Sequence, residues 1–323
     1  MTTPITLADV QRARERLSPY LTPTPFRQYP TLDAMLPGVA LFVKHENVQP
    51  TGSFKVRNGL STLTALDAAQ RAAGVVGATT GNHGLGLAYA GRQLGVGVTI
   101  CVPLGNNPEK NAALRAWGAQ VVEEGADYDD AAVVAQRLVD AHGFTLAHST
   151  NNVNVLTGAG TMTLEILEQT DDLDVLLIAI GGGSQAVGAI TVSRVLRPGL
   201  RIIGVGAAGA PAQHDGWHAK SPRKTPRADT FAEGVATRST YALTFPTLLA
   251  GLADFVTVTD AEIAEAVRVI LSATHHLVEG AGAMGVAAAM KLRDQLKGQR
   301  VGVVFCGGNM DTGVLRKILN REM

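Results

Sequence analysis

The chain has little cysteine. Cys101 and Cys306 are the only two in 323 residues. They make no C-x-x-C pair and no spaced framework, so a disulfide scaffold is excluded and a reducing cytosol, hence a cytoplasmic location, is expected. There is no charge excess either. Lys+Arg and Asp+Glu number 28 each, which argues against a nucleic-acid partner. The longest uncharged stretch, near Ala72 to Gly91, is full of Gly, Thr and Asn and does not read as a membrane span. The N-terminus lacks a basic region followed by an apolar core, so no signal peptide is expected. No period of 20–50 residues repeats, which excludes a solenoid.

What is present suits a large folded core. Hydrophobic residues make up 46% and charged residues 17%, and the length fits two α/β domains. Apolar and charged positions between residues 7 and 17 follow helical spacing, with Thr6 or Asp9 near the start. Thr22-Pro23-Thr24-Pro25 ends that helix. Strands are expected at 39–43, 74–78, 96–102 and 120–122, with helices at 59–71, 85–94, 109–117 and 129–142 between and after them. In the second half, strands at 174–180, 201–205, 255–258 and 300–305 alternate with helices at 160–169, from 185, at 261–275 (Asp260 as its cap) and at 280–292. Strict alternation implies parallel sheets with right-handed crossovers. The stretch 208–230, rich in Gly, Pro, Lys and Arg, reads as a mobile surface excursion.

The organising stretch runs from Glu46 to Asn58. Pro50 and Gly52 break the chain after an apolar strand, and Ser53 can cap a helix that holds Lys55 in its first turn. A cation there opposes the helix dipole, which helps keep the amine neutral and able to attack a carbonyl. Three further strand ends carry small polar residues. Gly181-Gly182-Gly183-Ser184 offers backbone N–H groups to a phosphate at a helix N-terminus. It is no Walker loop, because no Gly-Lys-Ser/Thr follows. Thr79-Thr80-Gly81-Asn82-His83-Gly84 could hold a carboxylate. Cys306-Gly307-Gly308-Asn309 puts a thiol at a strand tip. Each also has an ordinary reading: a tight turn, an N-cap, an inert buried thiol.

The order Thr-Gly-Ser-Phe-Lys, Thr-Thr-Gly-Asn-His-Gly, Gly-Gly-Gly-Ser, Cys-Gly-Gly-Asn resembles the threonine/serine dehydratase and serine racemase group. These are pyridoxal 5'-phosphate (PLP) enzymes of the tryptophan synthase β-like fold, fold type II. The resemblance spans essentially the whole chain, including Glu279-Gly280-Ala281-Gly282-Ala283. It implies two open parallel-sheet domains with the cofactor in the cleft between them. Residues 1–50 and 151–323 would form the large domain and 51–150 the small one. It implies that Lys55 binds the cofactor as a Schiff base and later moves the Cα proton, with Phe54 near the ring. Asn82 would bond the phenolic oxygen. Gly181, Gly182, Gly183, Ser184 and Gln185 would hold the phosphate, and Cys306 would face the pyridine nitrogen. Ser53, Thr79, Thr80, Asn82 and His83 would meet the substrate, mainly its carboxylate. The implied activity is β-elimination of a 3-hydroxy amino acid of the threonine or serine type to a 2-oxo acid and ammonia, by a homodimer.

Several residues depart from that group. Thr80 stands where its racemases have serine. Gly206 to Ala212 carries no carboxylate where many members bind a divalent cation, so no metal site is expected. The usual His-Pro-Phe-Asp appears as His148-Ser149-Thr150-Asn151. A bulkier or acidic substrate, such as phenylserine or hydroxyaspartate, or racemisation, therefore stays open. Arg57 and Arg238 could read a second carboxylate, against the ordinary alternative of surface arginines. The chain ends soon after Asn309, so an appended regulatory domain is not expected and a catabolic role is.

Overall fold

The computed structural model describes residues 3–323. Its strands are β1 (Phe26–Gln28), β2 (Ala40–His45), β3 (Val75–Ala78), β4 (Val98–Val102), β5 (Gln120–Glu123), β6 (Thr145–Leu146), β7 (Val175–Ala179), β8 (Arg201–Ala207), β9 (Asp254–Val258) and β10 (Arg300–Phe305). They build two sheets, one ordered β1-β2-β10-β7-β8-β9 and the other β5-β4-β3-β6. Every pairing is parallel except β1 with β2. The alternation of strand and helix forces this, since parallel neighbours need a crossover. β1 escapes the pattern because three residues between Pro25 and Pro30 are too few to show alternation.

The strand order reverses at β3 in the small sheet and at β7 in the large one. Open parallel sheets gather ligands at such reversals, beyond the carboxyl ends of the strands. β3 empties into Thr79–Gly84, and β7 into Gly181–Ser184. β7 is central, with Val175, Leu176, Leu177 and Ile178 buried completely. That follows from its unbroken apolar run.

Several local expectations are corrected. The helix carrying the lysine runs Lys55–Thr64, and Phe54 occupies its N-cap without a side-chain bond. Ser53 therefore caps nothing; its hydroxyl is buried and without a partner. The helix expected over 59–71 is two helices, because Asp67 starts Ala68–Ala73 with its own capping box. The helix expected over 160–169 begins earlier, as Val153–Gln169, capped by Asn152. Thr259, not Asp260, caps Asp260–Thr274, reciprocally with Glu262. Asp260 instead accepts bonds from Thr230 Oγ1 and the Phe231 N–H. The stretch 208–230 is no mere surface excursion. It contains the helix Ala212–Ala219, whose Ala212 and Gln213 are buried. Gln213 Nε2 donates to the Gly181 carbonyl at 3.2 Å, so this stretch braces the glycine loop.

Arg57, two residues along from the lysine, is neither a surface residue nor a cavity residue. It is 1% exposed, and all five of its guanidinium N–H groups are used. Nε and Nη2 meet the Glu46 carboxylate at 2.7 and 2.8 Å. Nη1 and Nη2 each meet Glu165 at 2.7 Å, and Nη1 also reaches Thr161 Oγ1 at 3.2 Å. Lys44 completes the cluster, 2.8 Å from Glu165. Two cations thus face two carboxylates with water excluded. The cluster ties the Lys55–Thr64 helix to the end of β2 and to the Val153–Gln169 helix.

Candidate active site

The strand ends converge on one cavity of about 630 Å³. Phe54, Lys55, Thr79, Thr80, Asn82 and His83 line it, together with Gly181 through Gln185 and Cys306. Of the expected residues Ser53 and Arg57 are absent from the walls, while Arg238 is among them. The residues come from four separate strand-to-helix junctions, so only the folded chain assembles them.

Lys55 reaches into the cavity with its amine 5.0 Å from the Phe54 ring centre. Burial lowers its pKa to about 8, and Cys306 and Glu279 only partly oppose this. An amine so placed is neutral often enough near pH 8 to attack an aldehyde. The Cys306 thiol is 4% exposed, and burial, with the Glu279 carboxylate next, pushes its pKa well up, so it stays neutral.

The glycine loop is shaped as a cradle. Gly183 has φ +94°, a left-handed conformation that favours glycine. A Cβ on Gly182 would collide with the Thr150 side chain, and one on Gly181 would stand 2.6 Å from the Gly234 carbonyl. The helix Ser184–Leu196 starts here, and its first-turn N–H groups lack partners within the helix. Such a terminus accepts a dianionic phosphate. A primary amine of lowered pKa, a bare-backbone phosphate cradle and a neutral thiol in one cavity fit PLP.

Two site residues were not assigned roles from the sequence. Glu279 precedes the helix Gly280–Lys291 and accepts from Asn82 Nδ2 at 2.8 and 2.9 Å through its two oxygens. Burial raises its pKa to about 7 against the lowering effect of Asn82. Asn309 Nδ2 donates to Asn82 Oδ1 at 2.7 Å and to the Thr51 carbonyl at 2.8 Å. The Asn82 amide is thereby held in one orientation across the cavity. A signal existed for both, since Glu279 opens one small-residue motif and Asn309 closes another, but neither spacing names a partner. Further contacts bridge the same mouth. Lys110 pairs with Glu233 and Arg238 with Asp129, while Asn107 Nδ2 donates to Asp311 at 2.6 Å. Among the described residues, no group of three or more His, Cys, Asp or Glu side chains is placed to hold a metal ion. No described helix is long and apolar enough to cross a membrane.

Comparison with known proteins agrees with this chemistry. The chain is 38% identical over 306 residues to an L-threo-3-hydroxyaspartate ammonia-lyase of a Pseudomonas species, covering 94% of this chain and 95% of that protein. It is 32% identical to an L-threonine ammonia-lyase of Thermotoga maritima, covering 99% of this chain and 79% of the relative. Among solved structures, maize serine racemase superposes with a TM-score of 0.92 at 28% identity, covering 98% of this chain and 97% of that one. The serine racemase of Dictyostelium discoideum gives 0.89 at 29% identity, covering 95% and 99%. Residues 17–307 match the family described as pyridoxal-phosphate dependent enzyme, and the chain belongs to that family.

Proposed function

We propose that this chain eliminates water from a 3-hydroxy amino acid to give an enamine, which tautomerises and takes water back to release ammonia and leave a 2-oxo acid. The observation that carries this reading is the lowered pKa of Lys55 in the same cavity as the Gly181–Ser184 cradle. Bound PLP supplies an electron sink for the charge left on Cα when its proton departs. Lys55 would hold the cofactor through its amine, and the same nitrogen, when free and neutral, would take the Cα proton. Gly181 to Gln185 hold the phosphate. Thr79, Thr80 and the backbone at Asn82 and His83, at the start of the helix Asn82–Leu94, receive the substrate carboxylate. Asn82, fixed by Glu279 and Asn309, orients the ring. Cys306, as a neutral thiol, would offer the pyridine nitrogen no counter-charge to keep it protonated, which would weaken the electron sink and favour prompt elimination. Replacing Cys306 by Asp should move activity toward racemisation or transamination.

The relative acting on 3-hydroxyaspartate favours an acidic substrate as well as threonine or serine. Arg238 lines the cavity and is the available partner for a second carboxylate, in exchange for Asp129. Thr80 also lines the cavity, so a racemase reading is separated by chiral analysis of product from L-serine. The division into domains 1–50 with 151–323 and 51–150, a homodimer, and a cytoplasmic setting for the two free buried cysteines belong to the same proposal. The deciding experiment is a panel of 3-hydroxy amino acids with detection of 2-oxo acid. No 2-oxo acid from any of them, in protein that shows the absorbance of lysine-bound PLP, would sink the function while leaving the cofactor site standing.

A further inference from the structure

Among the described residues no cation is bonded to Glu279, an acid in the cavity wall. Part of its surface opens on the cavity. Its two oxygens accept from Asn82 Nδ2 at 2.8 and 2.9 Å, and its own N–H donates to the Gly307 carbonyl at 3.0 Å. The Gly307 backbone closes over the carboxylate, where a Cβ would stand 2.7 Å from Oε1. The titratable groups around it come from four elements. Lys55 lies on the Lys55–Thr64 helix, Cys306 just past β10, Glu233 in the Glu233–Val235 turn and Lys110 on the Pro108–Ala116 helix. Lys110 and Lys55 act on the carboxyl only across space. Lys110 is already paired with Glu233, whose own charge opposes a second carboxylate. A buried carboxyl served by one neutral amide holds its proton longer than an exposed one, here to about 7.

The Asn82 amide cannot turn away. Its Oδ1 accepts from Asn309 Nδ2 at 2.7 Å, and Asn309 is anchored on the Thr51 carbonyl at 2.8 Å. Turning the amide would set one NH2 against another and its oxygen against the carboxylate. The Asn82 nitrogen is thus committed to Glu279, and the same nitrogen is the group assigned to the ring oxygen of PLP. That oxygen and the phosphate both arrive as anions. Two anions that share one amide nitrogen out of water repel, and one of them has to be neutralised. Glu279 can take a proton without losing Asn82, because a carboxylic acid keeps a carbonyl oxygen as acceptor.

We propose that loading the cofactor drives one proton from solvent onto Glu279, so that a neutral acid, not a carboxylate, stands behind Asn82 in the working site. The inference rests on PLP filling this cavity with its ring oxygen at Asn82, and is independent of which amino acid is the substrate. An O–H bond forms on Glu279, and no bond of the cofactor changes with it. Below about pH 7 the empty site already holds the proton, so loading takes up none. Above that, loading takes up a proton, and affinity falls as pH rises.

Infrared spectroscopy of the enzyme with and without PLP reads the acid directly. A protonated carboxyl gives a C=O band that a carboxylate lacks, and labelling the wild type with ¹³C-glutamate shifts it. Glu279→Gln still offers Asn82 an oxygen, removes the band and so assigns it. In apoenzyme the band should fade as pH passes about 7. In PLP-loaded enzyme it should persist at least about one pH unit higher. Fading at the same pH in both, or at a lower pH in the loaded enzyme, overturns the proposal. Should Glu279→Gln fail to fold, the labelled wild-type band decides by itself. Pyridoxine 5'-phosphate, which cannot link to Lys55, gives a calorimetric arm free of covalent chemistry. Titrated at about pH 8 in two buffers of different ionisation heat, wild type should take up more protons than Glu279→Gln. Its affinity relative to the variant should fall by up to about tenfold per pH unit above neutrality. Equal uptake with a flat ratio also overturns it. The absorbance of lysine-bound PLP reports loading separately. A site that never shows it sinks the cofactor reading and this proposal together; a loaded enzyme with an ionised Glu279 sinks the proposal alone.

Discussion

Replacing Arg57 by Met tests whether the buried ion cluster, not helix propensity, holds the lysine helix in place. The substitution keeps an apolar stem of similar reach and removes five hydrogen bonds, four of them to carboxylates. It leaves Glu46 and Glu165, 0% and 2% exposed, facing Lys44 alone. Breaking a buried pair by removing one partner costs about 3–5 kcal/mol. For a chain of this size that is a fall in Tm on the order of 10 °C. The loss should depend on pH. In the wild type, burial tends to raise the pKa of Glu46, but Arg57 outweighs it and holds the carboxyl low. Its stabilisation is present above the ordinary glutamate pKa and is lost as pH falls. In the variant, one surplus carboxylate is forced above its ordinary value. Its neutral form is fully tolerated below that value, and stability declines as pH rises. The second effect narrows the gap between the two proteins from pH 7 toward pH 5, and the first joins it only below the ordinary glutamate pKa. Thermal unfolding of apoenzyme at several pH values reads this directly. The double variant Arg57→Met, Glu46→Gln restores charge balance and should be more stable than Arg57→Met alone. A gap that ignores pH, with no rescue by the second change, would refute the argument.

Capture of PLP by apoenzyme, followed by absorbance, should accelerate as pH rises and level off above about 8, because the neutral Lys55 amine is the attacking species. Lys55→Ala should bind PLP without a covalent link and lose activity by several orders of magnitude. Gly182→Ala drives a methyl into Thr150 and should weaken PLP binding, measured by fluorescence titration, more than it lowers Tm. Glu279→Gln keeps a partner for Asn82 but cannot ionise. Burial raises the Glu279 pKa to about 7, so wild-type apoenzyme gains its contribution below the ordinary glutamate range and loses it as pH climbs to about 7. The variant's stability should decline less over that interval, and equal slopes in thermal melts would count against a buried acid there.

The chain's own pattern settled most of the local structure. Apolar runs of four to seven residues closed by glycine could only be buried parallel strands, and the four small-residue loops at their ends were legible as ligand-binding turns. Lys55 stood out because a cation in a first helical turn is poorly placed for anything but chemistry. Short or exposed elements were not legible. β1, β6 and the helices Phe245–Gly251 and Thr312–Leu319 are too brief or too polar for periodicity to mark them.

Arg57 shows where sequence reasoning stops. An arginine two residues past the lysine looks equally like a surface residue or a substrate clamp. Only the arrival of Glu165, 108 positions away, turns it into the centre of a buried charge cluster. The same holds for His83, whose Nε2 donates to the Ala147 carbonyl just past β6, and for Glu279, whose acidity depends on what surrounds it. Residue order determined which backbone groups would line the strand ends. Protonation states, orphaned lone pairs and ion pairs required the tertiary structure, because each is set by neighbours distant in sequence and by the exclusion of water.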